Sequence, residues 1–242
     1  MFYFLISPYL TYNFILIAAA IIPAVFLLVR VYRADVLEKE DPVLLRRLVL
    51  VGILSTQLAL LCERVFSKLL VNFVDPSTEL YRILLYFVVV GVSEEGSKYF
   101  FLRRNTWNSS QFNCLFDGVV YATFVSLGFA LWENISYVMH YGLVNAFARA
   151  FTAIPGHACF GVFMGVFYSA AKLYERAGDL QASRRYRFLA VLVPVVIHGL
   201  YDYIATINGY EISIYFVVFV VILFFVTLRI IKSVSANDRY IV

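Results

Sequence analysis

Residues 80–102 read LYRILLYFVVVGVSEEGSKYFFL. The leucines, valines, phenylalanines and tyrosines would make a membrane-spanning helix, yet Glu94, Glu95 and Lys98 stand inside it. A carboxylate near the centre of a bilayer costs about 2.5–3.5 kcal/mol on insertion scales. A chain that keeps two of them side by side is expected to use at least one.

The rest of the chain has the same character. Of 242 residues, 62% are hydrophobic and 15% charged, and the mean hydropathy is +0.81. Soluble domains run at roughly 45–50% apolar and about 25% charged. The composition therefore predicts an all-α, polytopic membrane bundle forming one transmembrane domain, 1–242, with its chemistry concentrated at about 80–206. The lipid bilayer is the partner this composition demands, and nothing in it points to nucleic acid. Hydropathy predicts seven spans near 9–29, 44–62, 82–102, 116–139, 147–171, 188–206 and 212–231, each close to the length that crosses about 30 Å of hydrocarbon. The first apolar run has its basic residues, Arg30 and Arg33, after it rather than before, so it reads as a retained helix and not a cleavable leader. Segments 30–47, 98–114, 172–187 and 229–242 carry 5, 3, 5 and 3 Lys or Arg, whereas the opposite side holds only Arg64, Lys68, Arg82 and Arg149. The positive-inside rule then predicts an external N-terminus and a cytoplasmic C-terminus. Cys62, Cys114 and Cys159 are scattered and read as packing residues.

Further polar residues lie at membrane depth. Glu133 and Asn134 fall in the fourth span, His157 in the fifth, and His198 and Asp202 in the sixth, one helical turn apart. His157, Gly161 and Gly165 recur at four-residue intervals, a face suited to close helix approach. Pro155 and Pro194 are expected to kink their helices just before the two histidines. By contrast His140 reads as interfacial, and Asp117 as a cap or a water-facing residue. On the predicted depths, the carboxylates and imidazoles of four helices overlap.

Such a set can activate water. One glutamate would pair with Lys98 while the other takes a proton from water, with His157 on that water and His198 with Asp202 at a developing oxyanion. These are the parts for hydrolysis of an amide within the membrane, without a cofactor. The alternative is a zinc centre on His157, His198 and Glu94 with water in the open position. A competing class is an ion- or solute-coupled transporter, which also gathers buried acids and histidines, although no internal repeat supports it.

Four stretches in order carry a resemblance: Glu94-Glu95-x-x-Lys98, Gly128-Phe129-Ala130 to Glu133-Asn134, Pro155-Gly156-His157, and His198-Gly199-x-x-Asp202. Together they resemble the PrsW-type intramembrane proteases, relatives of the CAAX prenyl endopeptidases and bacteriocin-processing membrane enzymes. The resemblance implies a multi-pass protein of the bacterial plasma membrane. It also implies a glutamate-dependent, regulated intramembrane protease that makes the first cut in a single-span substrate such as an anti-sigma factor. It further implies catalytic roles among Glu94, Glu95, Lys98, Glu133, Asn134, His157, His198 and Asp202. Two positions differ from the CAAX relatives: Lys98 follows Glu95 by three residues rather than four, and Asp202 stands where they carry Asn. The i, i+4 spacing favours a Glu94–Lys98 pair and a free Glu95, whereas the CAAX-type pattern makes the first glutamate hold the water. Both assignments stay open at this point, with Glu94 ahead.

Overall fold

The computed structural model describes residues 8–206 and 214–241. Helix α1 spans Pro8–Ala34 and α2 spans Pro42–Val71. The start of α2 is fixed by Asp41, whose side chain accepts from Val43 N at 2.9 Å, and by Pro42 in the first turn. A short α3 (Glu79–Ile83) runs into a π-helical stretch, Leu84–Val90, and then into α4 (Gly91–Thr106). Then come α5 (Asp117–Phe151), α6 (Ala153–Arg176), α7 (Leu180–Thr206) and α8 (Ile214–Ala236).

Helix α5 is the axis of the bundle. Every residue from Asp117 to Leu131 is buried, the pattern of a helix packed on all sides. Helices α1, α2 and α6 pack against it, and α7 joins α6 to α4. The predicted close approach on α6 is present. A Cβ on Gly165 would lie 2.4 Å from Val119 Cα, and one on Gly161 would lie 2.8 Å from Thr123 Cα. Helix α2 crosses α5 as closely, since a Cβ on Gly52 would meet Val125 O at 2.2 Å.

Five segments are long and apolar enough to cross a bilayer: 10–34, 42–71, 117–176, 180–206 and 214–236. The 60-residue segment holds α5 and α6, which correspond to the fourth and fifth expected spans. The third expected span is not among the five, because Glu94, Glu95 and Lys98 interrupt it and its helix changes type at Gly91. Residues 212 and 213, the start of the last expected span, lie outside the described residues.

Two local expectations change. Residues 147–151 belong to the end of α5, beyond Gly142 at φ 78°, and not to the next helix. Pro155 does not kink a helix: the chain breaks at Thr152, and Pro155 sits in the first turn of α6, where no backbone donor is needed. Pro194 does lie inside α7.

The loops 35–41 and 107–116 and the C-terminal residues 235–241 meet at one end of the bundle. There Ser235 Oγ donates to Ala34 O, Asn113 Nδ2 to Glu38 Oε2, and Leu115 N to Arg239 O. Under this lattice lie Asp35, Glu40 and Asp117, all buried, with Asp238 beside them. Asp117 caps its loop by accepting from Asn113 N at 2.9 Å and Cys114 N at 2.6 Å, so it does not face water. Asp238 Oδ1 accepts from Phe116 N at 2.8 Å, and Tyr121 OH donates to Glu40 Oε2 at 2.6 Å. Neither carboxylate oxygen of Asp35 has a hydrogen-bond partner.

Candidate active site

Toward the other end of α5 the helices part around a cavity of about 550 Å³. Its walls include Glu63, Glu94, Glu133, His157, His198 and Asp202. Five of these six are residues that the sequence singled out, and they come from α4, α5, α6 and α7. Helix α7 comes close to the π-helical stretch at Gly199, where a Cβ would lie 2.6 Å from the Phe87 ring and 2.9 Å from Phe87 Cα. That approach brings the adjacent His198 to α4.

The paired glutamates have different surroundings. Glu95 is 0% exposed and does not line the cavity. Its Oε1 accepts from Lys98 Nζ at 2.7 Å and lies 2.9 Å from His198 Nδ1. Glu94 does line the cavity, lies 3.2 Å from Lys98 Nζ through Oε2, and is 3.9 Å from His198 Nδ1. Lys98 is therefore nearer to Glu95, at i+3, than to Glu94, at i+4, the reverse of what helix spacing alone suggested. The Lys98 ammonium is fully buried and also sits 4.0 Å from the centre of the Phe129 ring.

The histidines are tied on both sides. Lys98 Nζ lies 3.2 Å from His157 Nδ1, and His157 Nε2 lies 2.8 Å from Glu133 Oε2. An ammonium can only donate, so Nδ1 accepts and Nε2–H donates to Glu133, which fixes the neutral tautomer. His198 lies between Glu95 at Nδ1 and Asp202 Oδ2 at 3.5 Å from Nε2. Its Nδ1–H donates to Glu95, whereas Nε2 faces Asp202 outside hydrogen-bond geometry.

Glu133 is held by Arg149, whose Nη2 lies at 2.9 Å. Arg149 Nε donates to Asn134 Oδ1 at 2.9 Å, and Asn134 Nδ2 donates to Ala20 O of α1 at 2.9 Å. Asn134 is thus a buried strut between α1 and Arg149, outside the cavity. His140 is exposed and takes no part. Sequence reasoning missed Arg149, counted only among the cations of the opposite side, and Glu63, which falls one residue beyond the second expected span. The signal for Glu63 was available: it continues the buried stripe Leu45, Leu48, Gly52, Thr56, Ala59 of α2 at the next helical interval.

A metal can be tested against this geometry. Glu94, Glu95 and His157 each offer a ligand atom, all within 4.8 Å of one another; His198, part of the zinc set expected from sequence, is not in this group. The Lys98 ammonium already lies among the three, at 3.2, 2.7 and 3.2 Å. A divalent cation held by these atoms would have to displace it, so the residues as arranged do not fit a metal.

Comparison with known proteins agrees on a membrane protease, while the description of the matching family names a metal that this arrangement of residues does not fit. A family described as "PrsW family intramembrane metalloprotease" matches residues 40–227. The chain is 32% identical over 213 residues to Protease PrsW of Clostridioides difficile (strain 630), covering 86% of this chain and 87% of that protein. It is 31% identical to the Shouchella clausii (strain KSM-K16) protein of the same name, covering 91% and 97%. Against Protease PrsW of Bacillus subtilis (strain 168) the identity is 32%, covering 80% and 84%. No solved structure matches. The buried Glu–Lys–His cluster and these relatives together place the chain in the PrsW family of intramembrane proteases.

Proposed function

We propose that this chain is a glutamate-dependent, metal-independent endopeptidase that cuts a single-span membrane protein, in the manner of first-site cleavage of an anti-sigma factor. In this reading it resides in a bacterial plasma membrane with seven helical passes, the N-terminus outside and the C-terminus in the cytoplasm. The observation that carries the chemistry is the division of labour in the pair. Glu94 alone faces the cavity, whereas Glu95 is buried against Lys98 and His198.

Glu94 takes a proton from water, and the resulting hydroxide adds to the substrate carbonyl carbon. The Nε2–H of His198, held loosely by Asp202, turns to the developing oxyanion. Collapse breaks the C–N bond, and the proton carried by Glu94 passes to the leaving amine. Both nitrogens of His157 are engaged, so it acts as a positioning residue that keeps Lys98 and Glu133 in place. Lys98 supplies the positive charge that a zinc ion would otherwise bring.

The test is cleavage of a single-span reporter by purified protein in liposomes. Glu94→Gln is expected to lower the rate about 10²–10⁴-fold, the usual contribution of a general base, while a metal chelator leaves the wild-type rate unchanged. Cleavage that survives each of Glu94→Gln, Glu95→Gln, His157→Ala and His198→Ala would overturn the reading. Loss on chelation with recovery on adding Zn²⁺ would overturn metal independence.

A further inference from the structure

Among the described residues, the charges around the cavity are matched with one exception. Glu94 and Glu95 share Lys98, Glu133 has Arg149, and Asp202 has His198. Glu63 lines the same cavity from the α2 wall, yet among the described residues it makes no ion pair and no hydrogen bond. Its charged neighbours across the space are Glu133, His198, Lys98 and Asp202. Three of the four are already engaged with other groups in ion pairs shorter than 3 Å.

Its direction follows from the α2 stripe. The positions that face α5 run from Leu45 through Gly52 to Ala59, and Glu63 is the next of them. At Gly52 the two backbones touch. At Glu63 the seam has opened into the cavity, so the carboxylate faces space where an apolar residue would face a neighbour. An unpaired carboxyl inside a membrane helix is costly when charged and otherwise keeps a proton, and a cation entering the same low-dielectric space favours its ionised form. Among the described residues, every cation placed on the cavity is committed elsewhere, so the missing one comes with the substrate.

We propose that Glu63 forms a recognition subsite for a lysine or arginine side chain of the substrate, carried within a few residues of the scissile bond and seated against the α2 wall. This rests on reading the cavity as the proteolytic site. The ligand class is a single-span protein with a basic residue at that position.

The experiment uses a series of single-span Leu/Ala reporters identical except for one scanned position, occupied by Lys, Gln or Glu. Binding is read by photo-crosslinking to full-length protein carrying Glu94→Gln, and cleavage is read with Glu94 intact. With Glu63 present, Lys is expected to outbind Gln about tenfold at one register, as a charge-assisted contact would give. Glu63→Gln and Glu63→Ala are expected to remove that preference, and Glu63→Lys to transfer it to the Glu reporter. The same Lys-to-Gln profile with and without the carboxylate would overturn the proposal. The two readings fail separately: reporters cut with a flat profile sink the subsite alone, whereas a Lys preference without any cut sinks the proteolytic reading and leaves the subsite standing.

Discussion

The protein buries two groups of acids at different heights along α5, and it treats them oppositely. Around the cavity, Glu94, Glu95, Glu133 and Asp202 each have a lysine, arginine or imidazole within 4 Å. About 24 Å away along α5, counting from Glu133 to Asp117 at 1.5 Å per residue, lie Asp35, Glu40, Asp117 and Asp238. Among the described residues none of these four makes an ion pair. Asp117 and Asp238 accept instead from backbone N–H groups and Glu40 from the Tyr121 hydroxyl, while both carboxylate oxygens of Asp35 are without a hydrogen-bond partner. Burying a charge is tolerable when a counter-charge travels with it; otherwise the group keeps a proton. The first group is held by counter-charges that line or adjoin the cavity. The second serves as a fastening that ties the C-terminal segment to the α1–α2 and α4–α5 connections.

The largest break in this comparison should come from removing the counter-charge. Lys98→Met leaves two buried carboxylates facing each other and is expected to destabilise the protein by about 3–5 kcal/mol, measured by thermal unfolding in detergent. The same change empties the position among Glu94, Glu95 and His157, so the variant's unfolding temperature should rise with added Zn²⁺ while the wild type's does not. A wild-type response equal to the variant's would mean that Lys98 yields its place readily.

A smaller effect is expected at the fastening. Tyr121→Phe removes the donor to Glu40 and should cost about 1–3 kcal/mol, the price of an unsatisfied buried acceptor, in the same unfolding assay. The smallest is a pH dependence confined to that end. Burial, opposed by the Tyr121 hydrogen bond, pushes the Glu40 carboxyl up to about 9 from its ordinary 4.5. Burial, opposed by Lys39, pushes Asp35 up to about 6 from 3.8. A raised value means that the stabilisation is complete below the ordinary value and is lost as pH rises through the shifted one. Protection of residues 237–241 from hydrogen exchange should therefore decline as pH rises above about 4, with the Asp35 share complete near pH 6 and the Glu40 share near pH 9. Glu40→Gln should abolish the upper step only.

Much of the cavity was legible because its residues break a strong rule. A carboxylate or imidazole in an apolar helix is conspicuous, and Glu94, Glu133, His157, His198 and Asp202 all reach the same space. What failed to show was pairing across the fold. His198 meets Glu95 across 103 positions of sequence, and nothing local forecasts that Lys98 would favour the nearer glutamate. Glu63 and Arg149 were hidden because a charge near the end of a hydropathy window looks interfacial. Only the packing of α2 and the break of α5 at Gly142 show that both residues turn inward. The third expected span escapes a test of apolar length for a related reason: the 79–106 rod is a composite of α- and π-helix interrupted by charge.

That composite has a consequence for how the chain tolerates change. A π-helical stretch carries extra backbone relative to α-helix, so Leu84–Val90 sets the angular phase at which α4 begins. An α-helix advances about 100° per residue. Deleting one residue from this stretch while keeping both ends in place would swing Glu94 about a quarter turn around its own axis, without altering a single side chain of the motif. The seven residues with the least chemistry in the rod are therefore the ones that aim it, and a shift in their number would turn Glu94 from the cavity as surely as its replacement would remove it.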